Sequence, residues 1–197
     1  MSKYKHPVAE ASDSSPFGSL TPDEFYAHHA VNHGSDYITS SGKQSLKLFT
    51  QWWAPRDQSA PLRGIVCVVH GFTGESSWLI QLTAVHVAKH GFAVCAIDHI
   101  GHGYSEGLVA HVPDISLVVD DCISFFNSFR ARYAVDLPAF LYAESLGGAI
   151  ALLITLRREG ILPERRNTVD IFFMGTMLML MRSSLVKKFR VSDWKVN

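Results

Sequence analysis

Residues 140–153 read F-L-Y-A-E-S-L-G-G-A-I-A-L-L, a short apolar run that reaches a serine and continues as an apolar helix. Ala143 stands two positions before Ser145, and Gly147 stands two positions after it. Small residues at these positions allow a sharp strand-to-helix turn, in which the serine backbone is strained and its hydroxyl faces outward. The stretch therefore predicts a buried strand, a helix, and a candidate nucleophile, Ser145, where the two meet.

The surrounding sequence alternates between strand patterns and helix patterns. Continuous apolar runs rich in β-branched residues are typical of strands covered on both faces, and apolar residues at helical spacing are typical of helices packed on a sheet. The predicted strands are residues 64–69, 92–97 and 139–142, and the predicted helices are residues 77–90, 115–133 and 146–158. This alternation predicts an α/β fold, with a mostly parallel sheet and helices on both faces.

A helix and a hairpin are predicted before this alternation begins. Thr21, Pro22 and Glu24 are typical of a helix start, since they place a cap, a first-turn proline and an acid near the positive end of the helix dipole. Residues 37–52 contain two strand patterns separated by S-S-G-K, which predicts a β-hairpin.

The overall composition indicates a globular protein whose balanced charges give no net positive potential to attract nucleic acid. Hydrophobic residues make up 47% of the chain, and 18 basic residues balance 18 acidic ones. The three cysteines are scattered through apolar runs, which predicts reduced, buried thiols. No apolar stretch approaches the roughly 20 residues of a spanning helix. We therefore expect a cytosolic location, with membrane contact at most peripheral.

Two further strand ends are expected to lie beside the serine, because parallel strands place their carboxyl ends at one edge of the sheet. H-G-F-T-G follows the first strand at residues 70–74, and D-H-I-G-H-G-Y-S-E-G follows the second at residues 98–107. The helix start and the Leu146 amide can stabilise an oxyanion beside Ser145. The Phe72 amide is the second candidate donor.

Several of these residues also have structural interpretations. A serine directly before a helix is a common N-cap, which is the alternative for Ser145. We expect His70 to fix its loop rather than to act as a base, and Asp98 and His102 to hold their own loop together. The pair Asp120–Asp121 is interpreted as the solvated side of a helix rather than as metal ligands.

Four motifs in order resemble the plant monoacylglycerol lipase and caffeoylshikimate esterase group of α/β-hydrolases, which is similar to serine aminopeptidase S33. The motifs are H-G-F-T-G-E-S-S-W, A-I-D-H-I-G-H-G-Y-S-E-G, V-V-D-D-C-I-S-F-F-N and L-Y-A-E-S-L-G-G-A-I. The resemblance implies a serine hydrolase of small-molecule or lipid carboxylic esters that needs no metal or cofactor. Ser145 would be the nucleophile, and the Phe72 and Leu146 amides would form the oxyanion hole.

The resemblance also assigns supporting roles around the nucleophile. The residues that would support the turn and its neighbouring loop are His70, Gly71, Ala143 and Gly147. Ala143 stands where most of the group has glycine, and alanine is still small enough for the turn. In this fold the catalytic residues follow the order Ser, then Asp or Glu, then His, yet all ten histidines of the chain precede Ser145.

The sequence after Gly160 departs from the motifs of the group. We expect residues 1–20 to be disordered, residues 21–160 to be the N-terminal part of a hydrolase domain that is incomplete on its C-terminal side, and residues 161–197 to be a divergent tail. Within the tail, the apolar residues 169–181 predict a sixth strand or a helix over the sheet edge rather than a membrane anchor.

This departure gives two hypotheses for function. We interpret the chain as a truncated product of alternative splicing or of a shifted reading frame, with severely reduced ester hydrolysis. The alternative is a non-catalytic product of the same family that binds a ligand or partner. Sequencing the transcript tests the truncation hypothesis, because an intact message that ends at Asn197 would contradict it.

Overall fold

A computed structural model of the chain describes residues 17–157 and the backbone of residues 171–174. Four helices and six strands lie in this part of the chain. The helices are α1 (Pro22–His28), α2 (Leu79–Lys89), α3 (Ile115–Arg130) and α4 (Leu146–Leu156). The strands are β1 (Val31–Thr39), β2 (Lys47–Pro55), β3 (Gly64–Val69), β4 (Phe92–Ile97), β5 (Ala139–Glu144) and β6 (Ile171–Met174).

The six strands form one sheet in the order β1-β2-β4-β3-β5-β6. Strand β3 pairs in parallel with both β4 and β5, and β6 pairs in parallel with β5. Strands β1 and β2 form the predicted hairpin, and β2 joins β4 in antiparallel orientation. The sheet is therefore mostly parallel with one antiparallel edge, which confirms the predicted α/β fold.

Helices cover both faces of the sheet, because side chains of the central strands point alternately to the two sides. Cys67 and Val69 of β3 pack in a cluster with Phe126 of α3 and with α4. Val68 points the other way and packs with Ile80 of α2 and with α1. Full burial of each such side chain stabilises the fold by about 1.5–3 kcal/mol. The continuous apolar runs in the sequence thus reflect strands with two buried faces.

The three cysteines are buried free thiols, as predicted. Cys67 and Cys95 face each other across β3 and β4, with their sulfur atoms 3.7 Å apart. Burial raises the pKa of the Cys95 thiol well above its ordinary value. Because the thiolate is the reactive form, these thiols behave as small apolar core groups.

The start of α1 confirms the predicted helix cap. The Thr21 hydroxyl accepts a hydrogen bond from the Glu24 amide at 3.3 Å, and the Glu24 carboxylate accepts one from the Thr21 amide at 2.8 Å. Phe17 precedes this cap and its ring lies 5.2 Å from the Phe25 ring. Phe17 therefore packs against α1, while residues 1–16 of the segment expected to be disordered lie outside the described residues.

The interpretation of Asp121 as a solvated residue is wrong. Its side chain is buried, and its carboxylate accepts hydrogen bonds from the Ser40 hydroxyl at 2.8 Å and from the Ser41 amide and hydroxyl, each at 2.7 Å. Asp120 is exposed, as predicted, and forms an ion pair with Arg157, the residue that directly follows α4. The two neighbouring carboxylates differ because only Asp121 faces the turn between β1 and β2.

Part of the apolar segment 169–181 forms the predicted sixth strand. Ile171 pairs with Leu141, and Met174 pairs with Glu144, so that β6 extends the sheet beyond β5. The rest of the segment lies outside the described residues. Within the described part of the chain, no helix is long and apolar enough to cross a membrane.

Candidate active site

Three loops meet at the carboxyl edge of the parallel strands. The neighbouring strands β4, β3 and β5 end at Ile97, Val69 and Glu144. The residue that directly follows each strand is polar, namely Asp98, His70 and Ser145. Val69 is the register partner of Ala143, so the ends of β3 and β5 lie side by side. The sheet thus brings the three predicted strand ends together.

Ser145 occupies the turn between β5 and α4 in a strained backbone conformation. Its φ is 49° and its ψ is −115°, and its side chain is exposed at the start of α4. No cap hydrogen bond is made by this side chain, so the structure does not support the N-cap interpretation. A non-glycine residue at positive φ is uncommon and costs about 1–3 kcal/mol. The geometry presents the Ser145 hydroxyl to solvent at the positive end of a helix dipole.

Two glycines make room for this turn. A Cβ atom at Gly147 would lie 2.2 Å from the Val69 carbonyl oxygen and 2.7 Å from the His70 carbonyl oxygen. A Cβ atom at Gly71 would lie 3.1 Å from the Ser145 Cβ atom. Glycine at these positions therefore allows the end of β3 and the loop after it to approach Ser145 closely. Ala143 is buried under the same turn, where a small side chain fits.

The two candidate oxyanion donors belong to the start of α4 and to the turn after β3. Leu146 is the first residue of α4, and the amides of a first helical turn have no acceptor within the helix. Phe72 belongs to the tight turn in which the Gly74 amide donates to the Gly71 carbonyl at 3.1 Å. Gly71 packs against Ser145, so the turn begins next to the serine. The Phe72 side chain is 53% exposed.

His70 is buried, and backbone groups engage both of its ring nitrogens. Its Nδ1 donates to the Gly71 carbonyl oxygen at 2.7 Å, and its Nε2 accepts from the His99 amide at 3.0 Å. The His99 ring lies against it at an angle of 34°, with centroids 4.0 Å apart. These contacts join the loop after β3 to the loop after β4, and they favour a loop-supporting role for His70 over that of a base.

Asp98 forms hydrogen bonds to both of these loops. It is fully buried, and its carboxylate accepts hydrogen bonds from the Ser76 amide at 2.8 Å and the Tyr104 amide at 2.9 Å. Gly103 leaves room for it, since a Cβ atom there would lie 2.0 Å from the carboxylate. Burial raises the pKa of Asp98 to about 7, against the lowering effect of these amides, and the nearby Glu75 carboxylate adds to the rise.

His102 lies next to the candidate oxyanion loop. It is buried, its Nδ1 is 2.9 Å from the Ile100 carbonyl oxygen, and its ring contacts the Phe72 ring edge-to-face with centroids 5.7 Å apart. Asp98 and His102 therefore organise their loop, in agreement with the interpretation from the sequence.

Two further buried residues support this region, and neither was predicted from the sequence. The carboxylate of Glu75 accepts hydrogen bonds from the Ser77 amide and, at 3.2 Å, from the Trp78 amide just before α2. An acid directly before a helical pattern is a readable capping signal. The second is His99, and burial together with the neighbouring His102 ring lowers its pKa to about 3. Nothing in the local sequence distinguishes His99 from an ordinary loop histidine.

The sheet order, the helices on both faces and the strained serine turn are those of an α/β-hydrolase. Solved structures with this fold include the carboxyl esterase of Bacillus coagulans, with a TM-score of 0.58, 24% identity, and coverage of 73% of this chain and 44% of that one. Another is a variant of the monoglyceride lipase of Saccharomyces cerevisiae, with a TM-score of 0.52, 24% identity, and coverage of 63% of this chain and 40% of that one. At this level of identity the likeness concerns the fold.

The chain belongs to the family described as serine aminopeptidase, S33, whose model matches residues 60–178. The match continues beyond Gly160, where the sequence analysis placed the end of the resemblance. Caffeoylshikimate esterase of Arabidopsis thaliana is 34% identical over 145 residues, which are 73% of this chain and 42% of that protein. Human monoglyceride lipase is 35% identical over 132 residues, which are 67% of this chain and 39% of that protein. The chain thus spans about two fifths of the length of these curated relatives.

Proposed function

We propose that the protein is a serine hydrolase of carboxylic esters, with Ser145 as its nucleophile. The observation that carries this proposal is the backbone of Ser145, held at φ 49° with its side chain exposed at the start of α4. A serine that served only as a structural residue would gain nothing from this strained conformation. Strain that is retained through close packing of Gly71 and Gly147 is typical of a functional position.

The proposed reaction has two steps and uses no cofactor. The Ser145 hydroxyl oxygen attacks the ester carbonyl, its proton passes to a base, and the alcohol leaves with a proton as an acyl-serine forms. Water then attacks the acyl-serine, releases the acid and restores the hydroxyl. The Phe72 and Leu146 amides would donate to the oxyanion of both tetrahedral intermediates, and loss of one such donor typically slows catalysis about 10²–10³-fold.

Apolar side chains on the loops around Ser145 favour an ester with an apolar part. Phe72 is exposed in the turn beside the serine, Trp78 and Leu79 are exposed at the start of α2, and Leu108 and Val109 are exposed in the loop after β4. Relatives of the chain are named as an esterase and as lipases, which agrees with such substrates. Peripheral contact with a lipid surface, expected from the sequence, would use this rim and stays a prediction.

A second candidate function is ligand binding without turnover, and the hydrogen bonds of His70 support it. His70 directly precedes Gly71, which packs against Ser145, and both of its ring nitrogens are hydrogen-bonded to the backbone. Loss of a well-placed base removes a contribution of about 10²–10⁴-fold.

A fluorophosphonate probe distinguishes the two candidates, because it reacts with an activated serine whatever the natural substrate is. The purified 197-residue chain is treated with the probe and measured by intact mass, beside Ser145→Ala and beside Ser124→Ala, which changes an exposed serine of α3. For a serine hydrolase we expect one adduct that disappears only in Ser145→Ala. A folded chain without an adduct would favour binding without turnover, and an adduct that persists in Ser145→Ala would exclude Ser145 as the nucleophile.

A further inference from the structure

Histidines gather at the end of the molecule opposite Ser145. His86 and His90 lie at the carboxyl end of α2, just before β4 begins, and both side chains are exposed. Their ring centroids are 4.6 Å apart. His29 lies close by, with its Nδ1 3.3 Å from the Lys89 amine. Strand β4 begins at this end and runs toward Asp98. The cluster therefore lies at the amino end of the parallel strands, opposite the candidate active site.

A hydrogen bond fixes the ring of His90. Its Nδ1 donates to the backbone carbonyl of His86 at 2.8 Å, whereas the His90 amide donates to the Val87 carbonyl as the helix ends. The ring thereby caps a carbonyl that the last turn of the helix leaves unpaired. In the neutral ring the lone pair is then on Nε2. Histidines that bind metals usually have their other ring nitrogen held by a carbonyl or carboxylate in this way.

The separation of the two rings matches a chelate. Residues four apart on a helix lie on the same face, so both imidazoles can reach one ion. If one nitrogen of each ring binds at about 2.1 Å, each centroid lies about 3.2 Å from the ion, and centroids 4.6 Å apart subtend about 90° at the ion. Ligand angles near 90° are those of tetragonal or octahedral sites, which Cu²⁺ and Ni²⁺ prefer.

We propose that His86 and His90 form a binding site for a nitrogen-preferring divalent metal ion, Cu²⁺ or Ni²⁺, at the end of α2. Among the described residues, no group of three or more histidine, cysteine or acidic side chains is arranged to hold a metal. The site is therefore an open two-histidine chelate, in which water completes the coordination. The positive charge of Lys89 beside the pair reduces its affinity for a cation.

Calorimetric titration of the untagged chain with CuCl₂, NiCl₂ and MgCl₂ in a non-coordinating buffer tests the site. We expect one ion per chain, tighter binding of Cu²⁺ than of Ni²⁺, and no binding of Mg²⁺, which prefers oxygen ligands. His86→Ala and His90→Ala should each weaken Cu²⁺ binding by at least about tenfold, because the remaining imidazole loses its chelating partner. His28→Ala, which removes an exposed histidine outside the pair, should bind as the wild type does.

Electron paramagnetic resonance of the Cu²⁺ complex provides a readout that does not depend on affinity. Nitrogen couplings from two imidazoles are expected in the wild-type chain and from one in either alanine variant. Equal Cu²⁺ affinity in the wild type and in His86→Ala/His90→Ala would overturn the proposal, as would a wild-type spectrum without coordinated imidazole. The test uses no catalytic readout, so its outcome is separate from that of the Ser145 labelling.

Discussion

Ser145 shows how a local strain is maintained by its surroundings. Its φ of 49° is combined with a ψ of −115°, which lies outside the left-handed helical region. An isolated chain would relax from this conformation. The turn is retained because β5 before it and α4 after it are both fixed by the core, where Leu141 and Ile150 are buried. The position of the hydroxyl is thus set by packing on both sides of the turn.

Gly147→Ala should destabilise the protein although it replaces a glycine within a helix. Alanine in a helix is intrinsically favoured over glycine by about 1 kcal/mol. Its Cβ atom at this position would lie 2.2 Å from the Val69 carbonyl oxygen, a backbone atom that cannot move without shifting β3. We expect the contact to dominate and the free energy of unfolding to fall by about 3 kcal/mol, measured by urea denaturation.

Gly42→Ala is the matched control for this prediction. The new Cβ atom would meet only side-chain atoms, the nearest being Leu117 Cδ2 at 2.9 Å, and the end of a leucine side chain can rotate away. We expect a change of less than about 1 kcal/mol. If the two glycine variants had the same stability, the close approach between α4 and the end of β3 would not be a constraint on the nucleophile turn.

At the scale of helices and strands, local sequence patterns predicted which elements form and, for some of them, where they begin and end. Strands β3 and β4 have the predicted limits, because their apolar runs are bounded by glycine or polar residues. The helix predicted to end at residue 133 ends at Arg130, since residues 131–133 continue it only as a turn. Such differences are expected where the last carbonyls of a helix lose their partners.

Contacts between distant elements could not be predicted in the same way. The hydrogen bond between Asp121 and the Ser41 amide joins residues 80 positions apart, and no local pattern separates Asp121 from Asp120. For the candidate site, the serine turn and the first glycine loop were readable because their chemistry is local. The contact between the His99 and His70 rings depends on β4 and β3 being neighbours, so it could be predicted only from the fold.

Asp121→Ala should therefore destabilise the fold much more than Asp120→Ala. Removal of the Asp121 carboxylate leaves the Ser40 hydroxyl and the Ser41 amide without their acceptor and detaches the hairpin turn from α3. We expect a loss of about 2–3 kcal/mol in the free energy of unfolding. Asp120 is exposed and pairs with Arg157, so its removal should cost less than about 1 kcal/mol. Parallel urea denaturation of both variants checks this, and equal losses would contradict it.

At the scale of the whole molecule, a buried polar layer joins two of the loops at the carboxyl edge, those after β3 and β4. His70, His99 and Asp98 form it, and all three are almost completely inaccessible to solvent. Their hydrogen bonds go mainly to backbone amides and carbonyls of neighbouring loops. Buried groups of this kind make the arrangement of the loops specific, and they also make it sensitive to protonation.

His99 and Asp98 should affect acid stability in opposite directions. Burial lowers the pKa of His99 from 6.5 to about 3, so below pH 6.5 the unfolded chain takes up a proton that the folded chain does not, and the free energy of unfolding falls. Burial raises the pKa of Asp98 from 3.8 to about 7, so in the same range the folded chain takes up a proton that the unfolded chain does not, and the free energy of unfolding rises. Each slope is at most about 1.4 kcal/mol per pH unit. The two contributions therefore oppose each other between pH 6.5 and pH 3.8.

Substitution of one group should reveal the slope of the other. Asp98→Asn removes the proton uptake by Asp98 in the folded chain. As the pH falls from 6.5 to 4.5, the free energy of unfolding of this variant should therefore fall more steeply than that of the wild type. His99→Asn should fall less steeply than the wild type or rise. Urea denaturation at pH 6.5 and at pH 4.5 gives the change in the free energy of unfolding for each protein. Because each variant is compared with itself at the two pH values, the effect of the substitution on stability at pH 6.5 cancels. Identical slopes in the wild type and both variants would show that the buried layer does not titrate in this range, and that its hydrogen bonds alone hold the loops around Ser145.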